Sequence, residues 1–112
     1  MSVTPKRLIL GSQLTGSAAT YYTATGVKTR VDALALTNTT SSAVAATVYL
    51  VPSGGSAGVS NCVLSARFIG AGETFVPPGA IGQWIDTGGT IQAFAGSAAA
   101  ITLVASGVES TS

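Results

Sequence analysis

Histidine is missing from this 112-residue chain, cysteine occurs once, and charge is confined to five basic and four acidic side chains. Without His, the many serines cannot form the usual Ser–His–Asp triad. A Ser–Lys pair would have to draw on Lys6 or Lys28, and neither sits in a supporting motif. A single thiol, Cys62, permits no intramolecular disulfide, and one Cys without His cannot supply a zinc ligand set. The four carboxylates, Asp32, Glu73, Asp86 and Glu109, stand apart in sequence, so only the fold could bring two together as a glycosidase pair. No Asp-rich loop has calcium-binding spacing. The Gly-rich stretch "PSGGSAG" (52–58) lacks the Lys of a phosphate-binding loop and precedes a strand rather than a helix. No cofactor, metal or catalytic set is therefore expected.

Charged residues make up 8% of the chain, against about 25% in an average soluble domain. The only basic clusters are Lys6–Arg7 and Lys28 with Arg30, too sparse for a nucleic-acid partner. No run approaches the roughly eighteen apolar residues of a membrane span. The start has just three consecutive large apolar residues, Leu8 to Leu10, shorter than the apolar stretch of a signal peptide, so cytoplasmic synthesis without export is expected. Weak charge repulsion also favours association of a free monomer.

What the chain does have is alternation. Val31, Ala33 and Ala35 oppose Asp32, Leu34 and Leu36; Val44, Ala46, Val48 and Leu50 oppose Ala45, Thr47, Tyr49 and Val51. The same period of two runs through Cys62 to Ile69, Ile91 to Ala95 and Ile101 to Ser106, which is the strand signature. Polar, Gly or Pro turns separate these runs at 38–42, 52–58, 70–73, 77–79 and 86–89. Short turns without intervening helix predict an all-β chain: one compact domain over residues 1–112, an antiparallel β-sandwich of jelly-roll or Ig-like type, or a small barrel. The first few residues and the closing "ESTS" read as unanchored or partner-dependent ends. Cys62 reads as a small buried apolar side chain.

Residues 36–58, "LTNTTSSAVAATVYLVPSGGSAG", carry no charge at all. A strand with both faces small or apolar needs two covers: the sandwich core and another chain. Trp84 reads either as a core plug between sheets or as an exposed anchor for protein or sugar, and its phase does not decide. Tyr21 and Tyr22 are adjacent, so one points inward and the other is a contact candidate. With Lys6, Arg7, Leu8 and the loop residues Pro52, Ser53, Gly54 and Gly55, they complete the set of candidate interface residues.

The segments "LILGSQLTGSAATYYTATG", "LTNTTSSAVAATVYLVPSGGSAG", "IGAGETF" and "GGTIQAFAGSAAAITLVASGVE" resemble a family of small tailed-bacteriophage virion proteins. The resemblance spans about residues 6 to 109 in order and spacing and includes no catalytic motif. It implies a non-enzymatic β-sandwich subunit of the virion, made in the host cytoplasm, with the major capsid protein or other virion proteins and its own copies as partners. A head decoration or cement role is the leading expectation. The alternatives are a tail or fibre accessory and, from another class, a carbohydrate-binding module using Trp84 and the tyrosines.

Overall fold

The computed structural model describes residues 2–111. Nine strands follow in order: β1 (Ser2–Gln13), β2 (Ala19–Thr23), β3 (Lys28–Asn38), β4 (Val44–Val51), β5 (Cys62–Ile69), β6 (Thr74–Phe75), β7 (Trp84–Ile85), β8 (Thr90–Ala95) and β9 (Ile101–Thr111). They form two antiparallel sheets, one ordered β1-β9-β3 with β6 and β7 both on the free side of β3, the other ordered β2-β8-β4-β5. If β6 and β7 are taken as one interrupted strand, the chain changes sheet at every step except the β4–β5 hairpin. That is the winding of an eight-stranded jelly roll. An Ig-like sandwich would pair its first strand with its second, whereas β1 pairs with β9.

Division of labour between large and small side chains lets the sheets approach. The first sheet sends Val31, Leu34, Leu36, Ile101 and Leu103 inward; the second answers with Ala46, Ala93 and Ala95 beside Val48 and Ile91, all buried. The alternation runs unbroken through β8 and through β9 as far as Gly107, because the extra residue at each register shift beside them lies on the partner strand, in β1, β2 or β3.

The phase of β3 departs from strict alternation. Its register shifts between Val31 and Ala33, so Thr29 and Val31 face inward before the bulge, and Leu34, Leu36 and Asn38 after it. Gly107 sits across from this bulge, and a methyl group there would run into the Arg30 carbonyl. Only glycine permits that approach of backbones.

The reading of Cys62 and its strand changes too. Cys62 is half-buried rather than buried, with Sγ 3.2 Å from the Leu64 carbonyl. The β5 edge strand is irregular against β4, and Ala66 adopts φ 46°, which ends the period of two and leaves Ala66 and Phe68 exposed while Ile69 turns in. Near the two ends of the chain, residues 2–6 pair with 107–111, from Ser2↔Thr111 to Lys6↔Gly107; Met1 and Ser112, part of the terminal segments named from sequence, lie outside the described residues.

Candidate functional site

Register gathers residues that are distant in sequence at one end of the sandwich. Thr29 lies opposite Glu109 and Ile85, Arg30 opposite Val108 and Trp84, Thr4 opposite Glu109, and Val51 opposite Thr90. Turns 24–27, 52–55 and 86–89 close this end. Ala24 N donates to the Gly89 carbonyl (2.9 Å), Gly88 N to the Ala24 carbonyl (2.7 Å), and Thr87 Oγ1 to the Val27 carbonyl (3.0 Å). Gly55 N donates to the Pro52 carbonyl at 2.9 Å, and Gly54, at φ 76°, supplies the left-handed residue this turn requires. A side chain on Gly88 would meet Ser53 Oγ at 2.5 Å, so the two turns are seated on each other. Of the sequence candidates, Lys6, Tyr22, Pro52 to Gly55 and Trp84 converge here.

Trp84 settles one alternative. Its ring is 55% exposed, so it is not a core plug. Strand β7 is only two residues long, and Ile85 takes the inward position, leaving Trp84 outward. The Arg30 guanidinium lies 5.7 Å from the Trp84 ring centre, a cation–π distance. Arg30 is itself held by Asp32, Nε to Oδ1 at 2.7 Å, and that hydrogen bond and charge raise its pKa above the ordinary guanidinium value. Beside the ring, Leu50, Val51, Pro52, Ile85 and Asp86 line a depression of about 100 Å³. The Asp86 carbonyl closes the 86–89 turn by accepting from Gly89 N at 2.8 Å.

A polar cluster ties the two sheets beneath this surface. Buried Tyr22, on β2, donates its hydroxyl to Glu109 Oε2 on β9 at 2.5 Å and accepts from Thr29 Oγ1 on β3 at 2.7 Å. Lys6 Nζ reaches the same Glu109 oxygen at 3.5 Å. Burial, then the hydrogen bond to Glu109, pushes the Tyr22 pKa up to about 12. No buried side-chain nitrogen or oxygen lacks a partner among the described residues.

The remaining candidates fall elsewhere. Leu8 is 7% exposed and belongs to the core. The register irregularity between Lys6 and Ile9 turns Leu8 and Ile9 inward together, which removes Leu8 from the exposed contact set. Arg7 is exposed and borders, with Pro5, Asp32 and Ser106, an open depression on the outer face of the first sheet. Tyr21 is half-buried, and its hydroxyl accepts from Thr15 N at 3.2 Å, toward the opposite end. Sequence reasoning missed Glu109, Thr29, Arg30 and Asp32 as a set. Glu109 was accessible to it: Ile101, Leu103, Ala105, Gly107 and Glu109 share one parity, so the inward face of β9 leads to that carboxylate.

Among the described residues, no three or more His, Cys, Asp or Glu side chains gather as a metal set. No protein-family model matches the chain, and no curated protein sequence matches it. Solved structures do. A structure of the infectious bursal disease virus Gx strain is similar at 20% identity with a TM-score of 0.46. The VP2 subviral particle of infectious bursal disease virus is similar at 19% identity with a TM-score of 0.47. Each similarity covers 96% of this chain and spans 31% of the other.

Proposed function

We propose that the protein is a non-enzymatic structural subunit of a bacteriophage virion, a decoration subunit that stabilises the head by burying surface against the major capsid protein and its own copies. Jelly rolls serve viral capsids, lectins and cupins alike, so the site and not the fold must carry the proposal. The observation that supports it best is Trp84. A large ring stands outside the core on a short strand, backed by Arg30 and bordered by the hydrogen-bonded Pro52–Gly55 turn. Trp and Arg are the side chains that dominate protein–protein interface energies when desolvated. Val3 and Val59, also exposed, lie at the same end. Burying these groups in the seam between capsid subunits would oppose their separation under the pressure of a packaged genome.

Electron cryomicroscopy of the particle encoded with this chain tests the proposal. Density for the sandwich on the head lattice is the expected result. Density at the tail tip would move the subunit to the tail accessory role, and absence from the particle would reject a virion role.

A second proposal, a carbohydrate-binding module, draws on the pairing of the Trp84 ring with Asp86 in the depression beside Pro52. A sugar could stack on the ring while a carboxylate accepts its hydroxyls. Glycan-array binding that disappears in Trp84→Ala would support it, and an empty array would remove it.

A further inference from the structure

We propose that residues 2–6 form an exchangeable arm, which seats on the β9 edge of a second copy of the same chain. Val3, Thr4, Pro5, Lys6 and Arg7 are all exposed, and burial in β1 begins only at Leu8 and Ile9. The arm is held by an unbroken ladder from Ser2↔Thr111 to Lys6↔Gly107 and by the Lys6–Glu109 ion pair. Immediately after Lys6 the register breaks, which puts a hinge where anchoring by buried side chains starts. Residues 3–6 therefore place no side chain of their own in the apolar core. The hydrogen bonds and ion pair lost in one chain are remade unchanged in another, which is why exchange of an identical element is a low-cost route to dimers.

The edges identify the occupant. On the open side of β1, Pro5 provides no N–H, and Lys6 and Arg7 add charge; both features discourage a foreign strand from extending the sheet. A vacated β9 edge instead presents Glu109 in register with a segment whose Lys6 can answer it, and the arm of a second copy supplies that segment. Extended, five residues span about 17 Å. The seated ladder uses all five, so exchange takes place between copies packed with the Lys6–Arg7 junction of one beside Gly107 of the other. This exchange does not depend on where in a particle the protein sits.

Single-cysteine chains test it, all with Cys62→Ser. Val3 and Ser110 are directly paired across the strands, within the reach of a disulfide. A tagged chain carrying Val3→Cys is refolded together with an untagged chain carrying Ser110→Cys, then mildly oxidised and weighed by mass spectrometry. Neither chain can close on itself. The expected result is the mixed disulfide dimer in clear excess over the two same-chain dimers combined, rising with protein concentration. The double variant, with both cysteines in one chain, verifies that the pair bridges. If that variant closes only as a monomer at every concentration, while the mixture gives no excess of the mixed dimer, the arm stays home and the proposal fails.

Discussion

At the end of the sandwich that carries the 39–43 loop, the organising residue is Asn38, fully buried and uncharged. Its amide donates to the Ser42 (2.7 Å) and Ile69 (2.8 Å) carbonyls, and its oxygen accepts from Thr40 N (2.9 Å) and Thr40 Oγ1 (2.7 Å). The nearby 70–73 turn is closed just as locally, with Glu73 Oε1 accepting from Gly70 N at 2.7 Å. At the opposite end the tie is Tyr22–Glu109–Lys6, and Trp84 stands outside it. Lys6, Arg7, Lys28, Arg30, Asp32, Asp86 and Glu109 all lie on that half, leaving only Arg67 and Glu73 to the other. One end holds its chain with a buried, uncharged amide; the other carries seven of the nine charged side chains, and among the described residues Arg7, Lys28 and Asp86 stand outside its two ion pairs. That surplus is what marks a surface for other molecules.

The contrast can be broken at either end. Asn38→Leu should cost most, on the order of 3–5 kcal/mol, because buried carbonyls and an N–H lose their partners at once. Urea denaturation measures it, and a loss below about 1 kcal/mol would contradict the lock. Tyr22→Phe should cost about 2 kcal/mol at neutral pH, the worth of a hydrogen bond to a charged group. The wild type should also weaken in alkali. Tyr22 ionises near its ordinary value of 10.0 when unfolded but only at about 12 in the fold. The unfolded state therefore releases its proton first, and stability is full below pH 10 and falls on the order of 2 kcal/mol as pH rises toward 12. Denaturation curves for Tyr22→Phe should lack that component of the fall.

Trp84→Ala sharpens the comparison from the other side. Its ring is half outside, so the loss in stability should be only about 1 kcal/mol, against the 3–5 kcal/mol of a fully buried aromatic. Particle binding, read by co-sedimentation, should nevertheless fall about tenfold or more. Smallest of all, Lys6→Ala should cost less than about 1 kcal/mol, since its ion pair is half exposed, and 0.5 M salt should abolish the difference.

Much of the architecture is legible without coordinates. Alternation in β8, and in β9 as far as Gly107, survives folding because the extra residue at each register shift beside them lies on the partner strand. Irregularity is where legibility ends. The Asp32–Ala33 bulge reverses the face of everything after it in β3, and a bulge is set by the partner strand, not by local composition. Strands β6 and β7, two residues each, are too short to show a period. Trp84 was undecidable for that reason: only its pairing with Arg30 fixes which way it points. Most of the candidate site came from unusual residue types, while its cohesion, Glu109 joining Lys6 to Tyr22, is a product of strand order.

Hydroxyl-radical footprinting of the free subunit and the intact particle tests most directly whether the charged, aromatic end is the contact surface. Trp84 and Phe68 mark opposite ends, and both are exposed in the single chain. Strong oxidation of Trp84 in the free subunit and its protection in the particle, with Phe68 modified equally in both, is the expected result. Protection of Phe68 with Trp84 unchanged would contradict it.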